Sequence, residues 1–280
     1  MPILRLSSNF SSNIATKVNK IKLAHQNEVD LFVRNNEHFN LIYINARQIL
    51  QKHNFVIIKN IGFNKEKAIF EAFLKMFGNF YGTVEYTDLR INCKYTGCSY
   101  SPIELHNDDA IDLDTQPLYG FIQILTEDKL LQVKNGIVKI DTLVEHLSLY
   151  DEEFLEALYT VKIPMLSYGI NYDGENKSKI EICEPILYRQ NNETMVRFDI
   201  SRVKYFYWEN NIQQSKEEKI LIDKFLSYCN KFRQEYILEA GDVLIHNNKK
   251  CLHDRSECSL ELNEDGSIDS REIFVSFVRG

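Results

Sequence analysis

The 280-residue chain lacks three kinds of segment that would assign it to a membrane, secretory or nucleic-acid-binding class. No run reaches the roughly 18 consecutive apolar residues of a membrane-spanning helix. The stretch Met1–Leu6 is not sustained in apolar character, so we expect no signal peptide. No long basic run occurs and the formal net charge is −7, whereas nucleic-acid affinity depends largely on clustered lysine and arginine. We therefore expect neither a membrane nor a nucleic-acid partner.

The chain also lacks a C-x-x-C pair, although it has six cysteines. Cys93 and Cys98 are close in sequence and a zinc pair is one interpretation, but their spacing makes it the weaker one. In a chain of this size, unpaired cysteines are typical of the reduced thiols of a cytoplasmic protein. We accordingly predict a cytoplasmic location.

No internal repeat or low-complexity linker divides the chain, and 44% of its residues are hydrophobic. A length of 280 residues is near the upper range for one core, and barrel-type β folds reach this size undivided. We predict a single domain over residues 1–280. Residues 1–37 form an N-terminal extension, and the polar segment 166–194 is predicted to be an insertion or an active-site lid.

The spacing of apolar residues predicts a mixed order of helices and strands. Helical periodicity covers 38–53, a segment from Asn64 to a stop at Gly78, 151–160 and 215–236. Short apolar runs predict strands at 55–58, 91–95, 119–125, 236–238, 243–245 and 273–278. Helices before and between many strands suit an α+β fold, namely a distorted double-stranded β-helix (jelly-roll, cupin-like) flanked by helices.

The most specific pattern is His106-Asn107-Asp108 with a distant His253. Two histidines and one carboxylate on an open face hold Fe(II) and leave positions free for a co-substrate and oxygen. In a strand, residues i and i+2 point to the same side, so His106 and Asp108 can bind one ion together. A second strand, which follows Gly241-Asp242, would then bring His253 alongside. His246 on that segment is the rival to His253, and we predict His106, Asp108 and His253 as the ligands.

In these motifs the chain resembles the Fe(II)- and 2-oxoglutarate-dependent dioxygenases, and within them the taurine dioxygenase and clavaminate synthase-like superfamily. The resemblance runs from about Phe55 to the C-terminus. Its shared features are 105–108, the Gly241-Asp242 turn, 253–255 and the arginine Arg271 that opens the last strand. Two features depart from the pattern. His246 and Asn247 stand where the family often has a tryptophan or other apolar residue and an aspartate, and the loop between His253 and Arg271 is a few residues longer than usual.

The resemblance implies Fe(II) as the metal, with 2-oxoglutarate and O2 as co-substrates. Arg271 is predicted to bind the distal carboxylate of 2-oxoglutarate, because a charge that opens an apolar strand is costly unless it is paired. Arg255, two residues beyond His253, is a second candidate for the co-substrate or for an acidic neighbour. Thr142 matches the family's hydroxyl donor to 2-oxoglutarate, although the glycines that precede it in the family motif are absent.

Four charged residues are predicted to bind the substrate: Asp109, Arg197, Asp199 and Arg202. Both signs of charge suit a small zwitterion, and the resemblance implies a branch that includes hydroxylases of free amino acids. Asp109 next to the metal motif favours a basic amino acid. Arg197 and Asp199 share one side of a likely strand, where they form either a salt bridge or a clamp on the zwitterion.

The predicted reaction couples decarboxylation of 2-oxoglutarate to hydroxylation of an unactivated C–H bond in this small molecule. Asp108 argues against halogenation, because halogenases of this type lack the carboxylate ligand. Four alternatives stay open at this point: a desaturase or cyclase of a small metabolite, a nucleic-acid demethylase, a cupin-like metalloenzyme that does not use 2-oxoglutarate, and a binding module without activity.

Overall fold

Two facing β-sheets form the centre of the computed structural model, which describes residues 2–20, 25–63, 65–89, 99–113, 116–170, 177–265 and 268–280. The helices in these ranges are α1 (Ser8–Lys20), α2 (Gln26–Asn35), α3 (Glu37–His53), α4 (Lys67–Leu74), α5 (Ile140–Tyr150), α6 (Glu152–Thr160), α7 (Ile200–Glu209) and α8 (Lys216–Phe232). The first eight strands are β1 (Ile3–Arg5), β2 (Phe55–Lys59), β3 (Asn79–Asp88), β4 (Ile103–His106), β5 (Tyr119–Thr126), β6 (Lys134–Lys139), β7 (Lys162–Ile170) and β8 (Lys177–Pro185). The others are β9 (Leu187–Gln190), β10 (Glu193–Val196), β11 (Gln234–Ile237), β12 (Val243–Asn247), β13 (Cys251–Arg255), β14 (Leu260–Leu262), β15 (Ile268–Ser270) and β16 (Glu272–Arg279).

The larger sheet has the strand order β1-β2-β12-β5-β16-β3, and the smaller has the order β11-β6-β13-β4. Within these two sheets β1 and β2 are parallel, whereas the other neighbouring strands are antiparallel. Strands distant in sequence are therefore adjacent in each sheet, as in a double-stranded β-helix. The predicted jelly-roll core is confirmed.

Strands β2 and β12 of the large sheet are buried on both faces, as the side chains of β2 illustrate. Phe55 and Ile57 point between the two sheets, whereas Val56 and Ile58 point to the layer of helices outside. All four side chains are buried, so the strand reads as a continuous apolar run instead of an alternating one.

Helices cover the outer faces of both sheets. The helices α1–α4 pack on the large sheet, and α5–α8 with β7–β10 pack on the small one. The predicted N-terminal extension belongs to this architecture, because β1 pairs with β2 and α2 buries Val29 and Val33. Among the described residues, no helix combines the length and apolar character needed to cross a bilayer.

Two predicted helices have different ends in the structure. The helix predicted over 215–236 stops at Phe232, because the next residues join the small sheet as β11. The helix predicted to end at Gly78 already ends at Leu74, and Asn64 lies outside the described residues. Gly78 is needed for close approach instead: a Cβ there would lie 2.3 Å from the carbonyl oxygen of Arg279.

The predicted strand 91–95 lies outside the described residues, whereas the predicted insertion at 166–194 is largely described. Its residues are not an irregular loop. They belong mostly to an antiparallel hairpin of β7 and β8, followed by the short pair β9–β10. The hairpin packs against α7 outside the small sheet, and its role as a lid stays a prediction.

Candidate active site

Strand pairing in the small sheet places two histidines side by side. His106 is the last residue of β4 and lies directly opposite His253 on β13, with 4.1 Å between their ring centroids. Asp108 faces both: its Oδ1 is 3.7 Å from His106 Nε2 and its Oδ2 is 3.7 Å from His253 Nε2. One potential ligand atom from each of the three residues lies within 4.8 Å of the others, which is close enough for one ion to contact all three.

Asp108 reaches this position by a different route from the one predicted. The strand β4 ends at His106, so the i, i+2 argument from strand geometry is wrong for this pair. Asp108 instead begins a turn, because Asn107 bonds to another part of the chain. The backbone N–H of Asn107 donates to Phe198 O at 2.9 Å, and its Oδ1 accepts from Phe198 N at 2.8 Å.

Asn248 fixes the other side of this turn. Its side-chain Oδ1 accepts from Asp108 N at 2.8 Å, and its Nδ2 donates to Asp108 O at 2.8 Å and to Pro117 O at 3.3 Å. The side chain is fully buried. Both backbone groups of Asp108 are thus held by one amide, which orients the carboxylate toward the histidines.

The three side chains of the cluster differ in their protonation states. Burial raises the pKa of the Asp108 carboxyl, but the rings of His253, His106 and His246 outweigh it and hold the pKa well below its usual range. Burial lowers the pKa of His106, but the Asp108 carboxylate outweighs it and raises the pKa to about 9. Burial and the charge on His106 lower the pKa of His253 well below its usual value. Without a metal, the cluster therefore holds an ionised carboxylate, one charged imidazole and one neutral imidazole.

Two buried arginines lie further along the same interior. Arg271 directly precedes β16 and donates to Asn135 Oδ1 at 3.3 Å. Arg255 donates to the carbonyl oxygens of Ser99 at 2.7 Å and Ser101 at 2.8 Å. Within the described ranges neither arginine forms an ion pair with a carboxylate, and burial lowers the pKa of Arg271 to about 10. Two partly unbalanced positive charges make this part of the interior suitable for an anion.

The distance from these arginines to the metal cluster follows from strand register. In the small sheet Arg255 pairs with Asn135, and His253 pairs with Ile137. Two residues along a strand span about 6.6 Å. A short dianion can therefore extend from the histidine pair to the arginines.

No contact among the described residues places Thr142 next to Arg271. It lies in α5, beyond the end of β6, whereas Arg271 contacts Asn135 near the start of that strand. The run from 135 to 139 alone spans about 13 Å. The polar side chain next to Arg271 is therefore Asn135, which the sequence analysis missed.

Asp109 occupies a left-handed backbone conformation, with φ of +50°, in the turn after the metal motif. Burial and the nearby Asp108 charge raise the pKa of its carboxyl to about 6, although Arg202 and Arg279 oppose this shift. The turn thus gives the half-buried Asp109 cationic neighbours close to the cluster.

The salt bridge between Arg197 and Asp199, one of the two interpretations of these residues, does not form: Arg197 lies 4.0 Å from Glu184 instead. Asp199 caps α7 and accepts from Arg202 N at 3.1 Å and Arg202 Nε at 3.0 Å. Its backbone bridges to His106, so it stays beside the cluster. Arg197 is buried near Tyr188, with its guanidinium 5.7 Å from the ring centroid, and its Nε has no hydrogen-bond partner among the described residues.

Two further charged residues near the cluster were missed. Glu85 on β3 is close enough to Asp108 that burial and this charge together raise its pKa. Arg279 at the end of β16 packs over Tyr81 and opposes the pKa shift of Asp109. Their positions depend on the pairing of β16 with β3, and no short motif encodes that pairing. Asn248, by contrast, ends the segment Gly241–Asn248, which has the form G-D-x-x-I-x-x-N, and therefore had a signal in the sequence.

This geometry agrees with a family assignment. The family of taurine catabolism dioxygenases, TauD/TfdA, matches residues 45–267. The chain belongs to this family. It is an Fe(II)- and 2-oxoglutarate-dependent oxygenase that acts on a small molecule. A comparison with curated proteins gives no match.

Solved structures with similar folds include two enzymes. The non-heme iron oxygenase OrfP, in complex with Fe, succinate and (3S)-hydroxy-L-Arg, has a TM-score of 0.73 at 12% identity, over 100% of this chain and 94% of that chain. An asparagine oxygenase in complex with Fe(II), 2S,3S-3-hydroxyasparagine and succinate has a TM-score of 0.67 at 12% identity, over 100% of this chain and 94% of that one. At these identities the likeness shows the shared fold.

We predict that Asn248→Ala destabilises the protein and loosens the Asp108 turn. The substitution removes the partner of one N–H, that of Asp108, and of two carbonyl oxygens, those of Asp108 and Pro117. Each buried group left without a partner costs about 1–3 kcal/mol. Urea unfolding measures the loss. Asn247→Ala is the control, because its side chain accepts only a local bond from Lys249 N, and it should cost less. Equal losses in the two variants would contradict this role of Asn248.

Proposed function

We propose that the protein hydroxylates a free amino acid at an unactivated C–H bond while 2-oxoglutarate is decarboxylated to succinate. One observation carries the proposal: the cluster of His106, Asp108 and His253 lies in the same interior as two buried arginines that form no ion pair with a carboxylate of the described residues. A metal site of this type and an anion site within reach of it are what the reaction requires.

The donor set fits Fe(II). Two imidazole nitrogens and one carboxylate are the ligands of non-haem iron oxygenases, and they leave coordination positions open. The low pKa of Asp108 and of His253 keeps these two groups deprotonated, as ligands must be, whereas His106, with a pKa raised to about 9, would release a proton when the metal binds. When bound there, Fe(II) supplies the activation of O2 that C–H oxidation needs.

The arginine pair fits the distal carboxylate of 2-oxoglutarate. We assign the direct contact to Arg271, whose guanidinium hydrogen-bonds to the neutral side chains of Asn135 and Cys258. Arg255 has its donors committed to Ser99 and Ser101, so its role is to hold the wall of the site and add positive charge. Thr142 as a hydroxyl donor would require contact across the length of β6, and Asn135 is the better candidate.

The substrate residues surround the turn after the cluster. Asp109 and Glu85 offer carboxylates to an ammonium or guanidinium group, and Arg202 and Arg279 offer cations to a carboxylate. Arg197 already faces a carboxylate, since its Nη2 lies 4.0 Å from Glu184 Oε2. Asp199 orients Arg202 through two hydrogen bonds. Charges of both signs at this place suit a zwitterion, and two acidic groups favour a basic side chain. The amino-acid derivatives bound to the two similar oxygenases, (3S)-hydroxy-L-Arg and 2S,3S-3-hydroxyasparagine, support the same class.

The alternative functions predicted from the sequence are no longer equally well supported. A cupin-like enzyme without 2-oxoglutarate is set aside by membership of a family that uses it. Desaturation or ring closure of a small metabolite uses the same site, and the choice depends on the substrate. A net charge of −7 disfavours a nucleic-acid substrate.

Free thiols at Cys183, Cys229, Cys251 and Cys258 support a cytoplasmic location.

His253→Ala should weaken binding of Fe(II) or Co(II) by more than about 100-fold, since it removes a ligand instead of an outer partner. Calorimetry without oxygen measures the affinity. The control is His146→Ala, because His146 lies on α5 outside the sandwich, and its variant should bind as the wild type does. Retention of affinity by the His253 variant would refute the ligand assignment.

Arg271→Ala should weaken binding of 2-oxoglutarate by about 2–5 kcal/mol, because one partner of a buried charge-assisted contact is lost. The binding constant is measured with the metal present and without substrate. The control is Arg279→Ala. Arg279 is the last residue of β16 and is assigned to the substrate, so this variant should bind 2-oxoglutarate with normal affinity. If the Arg271 variant keeps normal affinity while the Arg255→Ala variant loses it, the assignment is wrong.

Asp109→Asn should reduce kcat/KM for a basic amino acid more than for a neutral one. It removes a negative charge but keeps the shape, and a hydrogen bond to a charged group contributes about 1.5–3 kcal/mol. Succinate formation measured with arginine, lysine, ornithine and asparagine compares the two groups. The same loss for basic and neutral substrates would remove Asp109 from the substrate site.

A further inference from the structure

The interior of the sandwich contains a third imidazole, His246, that the proposed ligand set does not use. His246 lies on β12 of the large sheet and is 1% exposed. Its ring centroid is 4.4 Å from that of His253 on the small sheet. The ring therefore crosses the space between the sheets toward the cluster.

Gly120 provides the room for this ring. It pairs with His246 in the register of β5 and β12. A Cβ on Gly120 would lie 2.4 Å from His246 Cε1 and 2.6 Å from Nε2, so any side chain there would force the imidazole to shift. Gly120 does not have a positive φ. The glycine is therefore required because a side chain at position 120 would occupy the space of the imidazole, and not because of its backbone conformation.

The ring nitrogens of His246 form no hydrogen bond within the described part of the chain. A buried N–H without an acceptor is destabilising, so a histidine is costly here unless it has a partner. Asp108 offers one, because its Oδ2 lies 3.5 Å from His246 Nε2. Charge-assisted N–H···O hydrogen bonds measure about 2.7–2.9 Å, so a shift of about 0.6–0.8 Å would complete this contact.

We propose that His246 is a positioning residue of the metal centre, whose Nε2–H donates to Oδ2 of Asp108 and leaves Oδ1 for the ion. This inference rests on the proposed ligands. Ligating carboxylates commonly depend on such outer hydrogen bonds for their orientation. Together with Asn248, which holds the backbone of Asp108, His246 fixes the remaining freedom of the carboxylate.

The competing arrangement makes His246 a fourth ligand. Among the described residues, the group whose ligand atoms all lie within 4.8 Å of one another contains His106, Asp108 and His253, and His246 is outside it. His246 approaches the carboxylate at 3.5 Å. The geometry therefore favours a donor to Asp108, and the two roles predict different effects of a glutamine.

The test compares His246→Leu and His246→Gln by Co(II) affinity and by the Co(II) absorption spectrum, without oxygen, 2-oxoglutarate or substrate. Leucine removes the donor, and we expect an affinity about 10–100-fold weaker. Glutamine keeps an N–H donor of similar reach and should restore most of the affinity and the wild-type spectrum. Leu244→Val is the control. Leu244 is buried on the same strand two residues earlier, so its variant changes the melting temperature but not the affinity.

A second comparison uses the glycine and leaves all ligands in place. Gly120→Ala should weaken Co(II) binding in the wild type, because the new methyl group displaces the imidazole. In a His246→Ala background the same change should have no further effect on Co(II) binding. Independent, additive effects of the two changes would contradict the proposal.

Two outcomes overturn the role of His246 alone. One is a leucine variant with wild-type affinity and spectrum, and the other is a glutamine variant as weak as the leucine variant, which would indicate a ligand. Wild-type protein that binds no Co(II) would overturn the metal centre itself together with this inference, so the two failures are distinguishable.

Discussion

The site depends on the antiparallel pairing of β4 with β13, which sets His106 opposite His253 inside a sandwich of two sheets. Strand register is specified by burial, because a slip of one residue would turn both histidines away from the interior. Every other group is placed relative to this pair. Asp108 is brought to it by a turn, Arg255 lies further along β13, and Arg271 directly precedes β16 of the large sheet.

The interior has to compensate for an unusual amount of buried charge. The cluster balances the Asp108 carboxylate with a proton on His106, which a metal ion can replace. The pair Arg271 and Arg255 has no such balance among the described residues, since its partners are carbonyl oxygens, an amide and the thiol of Cys258. Buried positive charge that the protein leaves uncompensated is stabilised when an anionic co-substrate binds. Fold stability and co-substrate affinity are thus linked at this position.

The sequence was sufficient for the parts of the site that have a fixed spacing. His106, Asp108 and His253 come together as predicted, and the apolar runs of β2, β12 and β16 form the expected core. The prediction that strand geometry places Asp108 beside His106 was wrong, because side-chain hydrogen bonds of Asn107 and Asn248 determine the turn. These bonds join residues about ninety and one hundred and forty positions apart in the sequence. Glu85, Asn135 and Arg279 were missed for a related reason. Their places depend on which strands pair, and periodicity along one strand carries no such information.

The central claim is that an amino acid is oxidised at this site at the expense of 2-oxoglutarate. The most direct measurement incubates the protein with Fe(II), O2, labelled 2-oxoglutarate and pools of amino acids, and follows labelled succinate. If the proposed function is correct, one amino acid stimulates succinate formation and is recovered with one added oxygen atom. We expect a basic amino acid. Stimulation by a lipid or a sulfonate, with none by any amino acid, would contradict the proposed function.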